Sequence, residues 1–182
     1  MKRAAALMFL ALAACQGAEP ARPVVATIDR PRPVANRDDL LKSVASRKVA
    51  ELDRAAFRAV SVEVWGGRAL LMGAVVKPEQ RRRAEQAVRD VTGIAEVINE
   101  LVLAEASQLD RYVLDFSREE AVRHHLNADA KSGLIVRVVN GVAFLLGGGS
   151  PDSAPVLKAD AGEVEGIKWV VAHIVPSYES KP

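Results

Sequence analysis

The side chains in this sequence that are able to do chemistry are one cysteine and three histidines. His124 and His125 are adjacent, so on a helix they point to different sides, and His173 falls in a segment typical of a strand. None of the three has a Cys, Asp or Glu at the spacing of a metal site or a catalytic triad. Cys15 has no second cysteine with which to form a disulfide. We therefore expect no enzyme, no cofactor and no metal.

A glycine-rich segment, residues 147–150, follows a strand-like stretch and precedes a helical one, as phosphate-binding loops do. It lacks the lysine and the spacing of a P-loop. A flexible turn is the better interpretation.

A repeated segment of the sequence predicts the secondary-structure elements around these residues. Residues 62–73, VEVWGGRALLMG, return as residues 136–147, VRVVNGVAFLLG, with six of twelve positions identical. The identities recur at every second position, which is the period of one face of a strand. The central dipeptides, Gly66-Gly67 and Asn140-Gly141, suit a type I′ turn. Each copy therefore predicts a β-hairpin.

Helical patterns precede and follow each hairpin, and a strand pattern closes each copy. Asn36 or Asp38 is available as the N-cap of the first helix, and Ser117 opens a capping box before the third. The helix after the second hairpin contains Pro155 and Gly162, so we expect it to be short or frayed. The prediction is an α+β protein of two tandem αββαβ units, each a three-stranded mixed sheet with two helices on one face. The expected domains are residues 38–104 and 117–176, with a connector at 105–116 and a tail at 177–182.

The middle strand of each unit is apolar on both sides, as Leu70 and Met72 show in the first and Phe144 and Leu146 in the second. A strand with this pattern is covered on both faces. We expect helices on one face, and contact with the partner unit or a ligand on the other. Within the connector, Tyr112, Val113 and Leu114 are expected to pack between the units.

The N-terminal segment has a targeting pattern: Lys2 and Arg3 precede an apolar run that is too short to span a bilayer. Residues 12–15, LAAC, resemble the bacterial lipobox, which implies removal of residues 1–14 and lipidation of Cys15. Ordinary cleavage after residues 11–13 is the alternative. Gln16 follows the cysteine instead of Asp, which by the same resemblance favours the outer membrane. Residues 15–37, rich in Pro and Arg, are expected to be a tether, either solvated or resting on anionic headgroups.

The two units resemble BON domains (bacterial OsmY and nodulation). The G-x-x-L-x-G hairpin is present in both units, and the later G-I-x-x-V-x-N strand is complete in the first, whereas Ala172 replaces Asn99 in the second. Together with the lipobox, the chain is similar to dual-BON outer-membrane lipoproteins, a family associated with envelope integrity and phospholipid contact, mainly through the second domain. The matching glycines are expected at turns or caps: Gly67, Gly73, Gly93, Gly141, Gly147 and Gly166.

The charge of the sequence indicates which kinds of partner it can attract. Without Lys2 and Arg3 the 25 basic side chains become 23, equal to the 23 acidic ones, so no field favours nucleic acid. Residues 115–175 contain 6 basic and 8 acidic side chains, which opposes attraction to anionic lipid. A local membrane-binding patch is nevertheless available from Phe116, Arg123 and Lys131. Burial of Phe116 between the units is the alternative.

The leading hypothesis is a periplasmic lipoprotein, anchored on the outer membrane, whose paired BON domains bind phospholipid surfaces and support envelope integrity. The rival is a protein-interaction or chaperone-like adaptor without specific lipid binding, suggested by apolar sheet faces. A variant of either has the two units packed on each other with no open site. The expected partners are membrane phospholipid and an envelope protein.

Overall fold

The computed structural model describes residues 27–28, 30–128, 133–150 and 152–175 of the 182, and for 27–28 only the backbone. The molecule is an α+β protein with two mixed sheets, as expected, but each sheet has four strands and not the predicted three, because β1 joins one sheet and the last strand of the other is divided. Its elements in chain order are β1 Thr27–Ile28, α1 Arg32–Leu52, β2 Val60–Trp65, β3 Arg68–Val75, α2 Pro78–Arg89, β4 Glu96–Asn99, β5 Val102–Leu103, a 3-10 helix Ala106–Arg111, α3 Phe116–His125, β6 Ile135–Val139, β7 Val142–Gly149, α4 Ser153–Gly162 and β8 Trp169–Val175. We call α1 to β5 the first unit and α3 to β8 the second unit.

Both predicted hairpins are confirmed. β2 pairs antiparallel with β3, and β6 pairs antiparallel with β7. The two residues of each turn have positive φ, at 60° and 75° for Gly66 and Gly67 and at 50° and 79° for Asn140 and Gly141. Two positive φ values in succession are what a type I′ turn requires.

The last strand of each unit runs parallel to the middle strand. β4 and β5 pair with β3, and β8 pairs with β7 over seven residues. A helix makes each crossover, α2 in the first unit and α4 in the second, as parallel pairing demands. The expected single strand over residues 94–103 is divided, because residues 100–101 lie outside both β4 and β5. α4 has ten residues against twelve in α2, so the prediction of a short helix is confirmed.

Each sheet packs one face on its own two helices. In the first unit Val62, Val64, Ala69 and Leu71 face α1 and α2 in one buried cluster. The corresponding cluster of the second unit contains Val136, Val138, Ala143 and Leu145. These are the positions of the period-two repeat, so the alternation along the sequence is the alternation of faces.

The opposite faces of the two sheets pack against each other, and we call this contact the seam. Its buried apolar residues are Trp65, Leu70 and Met72 from the first unit and Val139, Phe144 and Leu146 from the second. Tyr112 and Leu114 of the connector also pack there, as predicted, whereas Val113 is exposed. The expected contact between the units is therefore confirmed, and it leaves neither apolar sheet face open.

The segment before the first helix differs from the expected tether. Thr27–Ile28 pairs with Gly148 and Gly149 of β7, which gives the glycine-rich segment a strand role in place of a flexible turn. α1 already begins at Arg32, with proline in its first turn, where the missing N–H costs no helix hydrogen bond. Residues 27–28 and 32–37 therefore belong to regular elements, and the helix start expected near residue 38 lies too late. Cys15, the signal peptide at 1–14 and the tail at 177–182 lie outside the described residues.

Two capping predictions are wrong. Asp38 lies inside α1, not at its N-cap, and is buried. The N-cap of α3 is Asp115, whose side chain accepts a hydrogen bond from the backbone N–H of Arg118, so the helix begins ahead of Ser117. Asp is as good an N-cap as Ser. Among the described residues no helix is long and apolar enough to cross a bilayer.

Candidate functional site

The residues singled out for chemistry are dispersed. The ring nitrogen Nε2 of His173 lies 3.0 Å from Glu100 Oε1, and that of His125 lies 3.4 Å from Glu163 Oε2. His124 is exposed. Within the described ranges no cluster of three His, Cys, Asp or Glu side chains is arranged to hold a metal ion. The His173 contact joins the second unit to the first across the seam.

A buried row of charges also crosses the seam. Arg137 Nε on β6 lies 2.6 Å from Glu63 Oε1 on β2, and the same carboxylate oxygen lies 2.6 Å from Lys42 Nζ. The other end of Arg137 donates to Glu119 of α3 at 3.0 Å. Both glutamates are buried, so each needs a close positive partner to offset the loss of hydration. The row joins α1, β2, β6 and α3.

Arg137 is held charged within this row. Burial by itself would lower the pKa of its guanidinium, but the Glu63 carboxylate, followed by that of Glu119, outweighs burial and raises the pKa above its ordinary value. Glu119 also accepts a hydrogen bond from the backbone N–H of Val138 at 3.2 Å. The helix and strand of the second unit are thereby fixed to each other and to Glu63 of the first.

Asp38 holds the first hairpin turn. Its carboxylate accepts hydrogen bonds from the backbone N–H groups of Gly66 at 2.7 Å and Gly67 at 3.0 Å. Arg30 NH1 donates to the same carboxylate at 2.8 Å. The sequence pattern gave Asp38 a capping role because Asp near a helix start often caps. The backbone groups that it binds are instead nearly thirty positions away.

Asn99, the last residue of the first unit's strand motif, joins β4 to α2. Its side-chain amide donates to Glu85 Oε2 at 2.9 Å, and its carbonyl oxygen accepts from the backbone N–H of Leu101. The Asn99 hydrogen bond, with a further contribution from Arg89, lowers the pKa of Glu85 below its ordinary value. Ala172 in the second unit has no side chain for this connection.

Two of the six motif glycines, Gly73 in β3 and Gly147 in β7, lie inside strands, so their expected place at a turn or cap is wrong. The six also fall into two groups by φ. Five have positive φ: Gly67, Gly73, Gly93, Gly141 and Gly166. Gly147 does not, but a Cβ there would lie 3.1 Å from Leu134 Cδ1. The tightest position is Gly73, at φ 113°, where a Cβ would lie 1.9 Å from the carbonyl oxygen of Ala59.

An exposed apolar surface lies at the hairpin-turn end of the second unit. Phe116 is 70% exposed, Trp169 is 65% exposed and Val113 is 54% exposed. We call these three residues the aromatic patch. A hollow of about 520 Å³ contains Val113 and Phe116 in its wall together with three basic residues: Arg111, Arg118 and Lys168. Lys168 also lines the neighbouring hollow, where Trp169 lies.

The position equivalent to Trp169 in the first unit has a different chemistry. Trp169 on β8 is the register partner of Val142, and the corresponding pair in the first unit is Glu96 opposite Arg68. Arg68 Nε donates to Glu96 Oε2 at 2.7 Å. One unit therefore presents an ion pair where the other presents an exposed tryptophan. The two units therefore differ in surface chemistry at equivalent positions of their sheets.

The three predicted membrane-binding residues do not form one site. Phe116 lies in the aromatic patch, and its alternative placement inside the seam is wrong. Arg123, seven residues further along α3, lines a different hollow, and its NH2 group donates to the carbonyl oxygen of Val136 at 3.2 Å. Lys131 lies outside the described residues. Trp169 and Lys168 were missed, because nothing in the strand pattern distinguishes an exposed end from a buried one.

Comparison with known proteins finds distant similarities. A protein of Anaplasma centrale, described as an uncharacterized protein in the gshII 5' region, is 27% identical in an alignment of length 132, and the match covers 65% of this chain and 82% of that protein. Two structures of CdsD, a structural protein of the type III secretion system of Chlamydia trachomatis, are 14% identical with a TM-score of 0.31. They cover 76% and 82% of this chain, and 92% and 100% of their own chains. A TM-score this low does not establish a shared fold.

The family comparison is more direct. The BON domain profile matches residues 37–105, which differ by one residue at each end from the boundaries expected for the first unit. The matched segment contains the hairpin, the turn held by Asp38 and the strand that ends at Asn99. Residues 37–105 of this chain are a BON domain.

Proposed function

We propose that this protein is a non-catalytic envelope module that contacts phospholipid surfaces through the aromatic patch of its second unit. A BON domain is consistent with a membrane-related role in the periplasm, and we propose that the second unit is a BON domain too. The same order of elements and six shared hairpin positions support that assignment. By this proposal Cys15 is lipidated and holds the protein on the outer membrane, where it supports envelope integrity.

The observation that carries the proposal is the chemistry of the patch. Phe and Trp side chains favour the boundary between headgroups and acyl chains, because their rings are apolar and the indole N–H still finds a polar partner. Arg111 and Lys168 stand beside them, and each basic residue near an anionic bilayer contributes about 1 kcal/mol. Arg118 contributes less, because Asp115 pairs with it.

The acidic excess of residues 115–175 opposes attraction to anionic lipid, but the charges around the aromatic patch differ from this average. The wall of the hollow contains three basic residues and one acidic residue among those described, so its local charge is positive although residues 115–175 have an acidic excess. Asp115, the acidic residue in the hollow's wall, is neutralised by Arg118. The patch therefore presents cations although the unit as a whole is acidic.

Vesicle co-sedimentation of residues 16–182 tests the proposal. We expect binding to vesicles that contain phosphatidylglycerol, and loss of most of it in the double variant Phe116→Ser, Trp169→Ser. Leu40→Ser is the matched control, because Leu40 on α1 is 65% exposed but belongs to the first unit. Equal binding by the double variant and the wild type would contradict the assignment of the patch.

The charge contribution is tested separately. Lys168→Gln should weaken vesicle binding at low salt and have little effect in high salt, because screening removes the attraction between exposed charges. Arg82→Gln, on the exposed side of α2, makes the same change in net charge and should leave binding unchanged. Mass spectrometry of the protein purified from membranes tests lipidation of Cys15.

The adaptor hypothesis was suggested by apolar sheet faces, which are covered in the structure. The apolar sheet faces are packed together at the seam and offer no surface to a client protein. The adaptor becomes the better proposal if vesicles of all compositions fail to bind and cross-linking in the envelope recovers one stoichiometric protein partner.

A further inference from the structure

The last strands of the two units lie at sheet edges on the same side of the molecule. Within the described ranges β4 and β5 pair only with β3, and β8 pairs only with β7. The contact between His173 on β8 and Glu100 beside β4 brings these two edges together across the seam. An edge strand presents backbone N–H and C=O groups that its own sheet does not use, and another strand is able to pair with them.

Side chains cap the edge of the first unit. The N–H of Glu100 bonds to the carbonyl oxygen of Leu71, so the backbone groups of Asn99, one residue earlier, face away from β3. The outward carbonyl oxygen of Asn99 accepts a hydrogen bond from Arg81 NH2 at 2.9 Å. The outward N–H of Leu101 donates to Asn99 Oδ1 at 3.2 Å. A strand that adds to this edge would first have to displace both contacts.

The equivalent residue of β8 is Ala172, and its side chain cannot cap the edge. Ala172 is the register partner of Leu145, as Asn99 is of the corresponding leucine in β3, so its backbone groups also face away from the sheet. Its methyl group offers no oxygen to the N–H of Ile174, which occupies the place of Leu101. In the part of the chain that the structure describes, no group outside β7 bonds to the backbone of Ala172 or Ile174.

The capping arginine has no counterpart in the second unit either. Arg81 lies three residues before Ala84, the first buried residue of α2. Ala154 lies three residues before Leu157, the buried residue at the same place in α4. β8 itself consists of six apolar residues and one histidine. Natural proteins usually shorten, charge or cover such an edge.

We infer that a second copy of this chain covers the β8 edge, by antiparallel pairing of β8 with itself about a two-fold axis at Ala172. Val170 and Ile174 face outward together with Ala172, because alternate residues of a strand bond to opposite sides. About this axis Ala172 lies opposite its own copy, and Val170 lies opposite Ile174 of the second copy. Each of these pairs exchanges two backbone hydrogen bonds. The second-unit sheets of the two copies then form one continuous sheet.

The strand is complementary to itself, which favours a second copy over another protein. Two β-branched side chains, those of Val170 and Ile174, oppose each other, and such cross-strand pairs are stabilising. No two like charges meet, because the one histidine of the strand lies opposite Val171. The register is limited at both ends: Pro176 has no N–H, and the N–H of Lys168 already donates to the carbonyl oxygen of Gly141 at 2.7 Å. A two-fold contact of this kind closes on itself and stops at a dimer.

The dimer goes beyond the proposed function and does not depend on it. Phe116 and Val113 of the aromatic patch are not part of β8, so pairing leaves them exposed. Because Trp169 is the first residue of β8, antiparallel pairing places the two aromatic patches at opposite ends of the dimer. A single membrane therefore meets one patch of each dimer.

Sedimentation equilibrium of residues 16–182 over a range of protein concentrations tests the dimer. We expect a reversible equilibrium between monomer and dimer. Ala172→Pro should raise the dissociation constant about tenfold or more, because proline removes the outward N–H at the axis in both copies and leaves the ladder with β7 intact. A monomer at every concentration would overturn the inference. An unchanged dissociation constant in a folded Ala172→Pro protein would overturn it as well.

Transfer of the first unit's cap to β8 is a second test, which applies even if proline unfolds the strand. The double variant Ala154→Arg, Ala172→Asn places the Arg81 and Asn99 side chains at the equivalent positions and should be monomeric. Val102→Lys is the matched control, because it adds the same charge at the edge of the first unit, where Val102 is 45% exposed. The control should dimerise like the wild type. Equal dissociation constants for the double variant and the control would contradict pairing through β8.

Amide hydrogen exchange identifies what covers the edge. The N–H groups of Ala172 and Ile174 should exchange more slowly as the protein concentration rises, whereas that of Leu101, held by Asn99, should not depend on concentration. Slow exchange of Ala172 and Ile174 in a monomer would assign the edge to another segment of the same chain and overturn the second copy.

The dimer and the proposed function fail separately. Phe116→Ser should weaken vesicle binding and leave the mass of the protein in solution unchanged. If the wild type dimerises and vesicles do not bind, the proposed function is wrong and the dimer stands. If vesicles bind and the wild type remains monomeric, the dimer is wrong and the proposed function stands.

Discussion

Arg137 of the second unit lies 2.6 Å, Nε to Oε1, from Glu63 of the first. Each side chain also pairs with the first helix of its own unit, Glu63 with Lys42 of α1 and Arg137 with Glu119 of α3. Because Arg137 also holds Glu119, it compensates two buried carboxylates at once.

Arg137→Gln should therefore destabilise the protein by about 3–5 kcal/mol, the usual cost of leaving a buried charge without its partner. Urea unfolding measures this. Arg82→Gln, which breaks the exposed pair with Glu79, should change the free energy of unfolding by less than about 1 kcal/mol. Similar values for the two variants would contradict the role of Arg137 as the shared cation of the seam.

The two tryptophans report on opposite surfaces. Trp65 is 1% exposed and its indole Nε1 donates to the carbonyl oxygen of Gly133 at 2.8 Å, whereas Trp169 is 65% exposed. In Trp169→Phe, the remaining fluorescence of Trp65 should be blue-shifted and shielded from acrylamide. In Trp65→Phe, the remaining fluorescence of Trp169 should be red-shifted and readily quenched.

Vesicles extend this measurement. Binding should shift the emission of Trp169 to the blue and leave that of Trp65 unchanged, because only Trp169 can enter an interface without opening the seam. A shift of Trp65 alone would indicate that the units separate at the membrane, contrary to the closed seam described here.

Gly73 and Gly162 should respond oppositely to alanine. At Gly73 the Cβ would meet the carbonyl oxygen of Ala59 at 1.9 Å, and φ is 113°, so Gly73→Ala should cost about 3 kcal/mol or more. At Gly162, the last residue of α4, a Cβ would meet only Val170 Cγ2 at 3.9 Å. Gly162→Ala should stabilise the protein by about 0.5–1 kcal/mol, because alanine restricts the unfolded chain more than glycine does. Chemical denaturation of both variants measures these changes in the free energy of unfolding. An unchanged free energy of unfolding in Gly73→Ala would refute the predicted clash.

Asn99→Ala should change how stability depends on acid. The Asn99 hydrogen bond depresses the pKa of Glu85 in the folded state below its ordinary value of 4.5. A depressed carboxyl pKa contributes stability above the unfolded value, and this contribution is lost as the pH falls through the folded pKa. Without Asn99 the pKa of Glu85 should rise toward 4.5, and the protein should lose less stability over that acid range.

Carboxyl carbon shifts of Glu85 measured against pH test this directly. Glu79, which is exposed on the same helix, serves as the internal reference. An unmoved titration of Glu85 in Asn99→Ala would show that the arginines Arg89 and Arg81, and not Asn99, depress its pKa.

The sequence by itself determined the local architecture of this protein. A period-two repeat specifies which face of a strand is buried, and dipeptides that tolerate positive φ specify where it turns. Both hairpins and the BON domain at residues 37–105 were therefore predictable from residues near one another in the chain. A middle strand that is apolar on both sides also indicated a second covered face, although not what covers it.

The tertiary structure alone decided where the charged and exposed residues go. Asp38 holds Gly66 and Gly67, Glu63 pairs with Arg137, and β1 pairs with β7, all across separations that leave no periodic signal in the sequence. Phe116 and Trp169 are exposed because of where the units end, which their own residue types, normally buried, do not indicate. Propensity and periodicity act between neighbours along the chain, whereas ion pairs and surfaces depend on which distant segments meet.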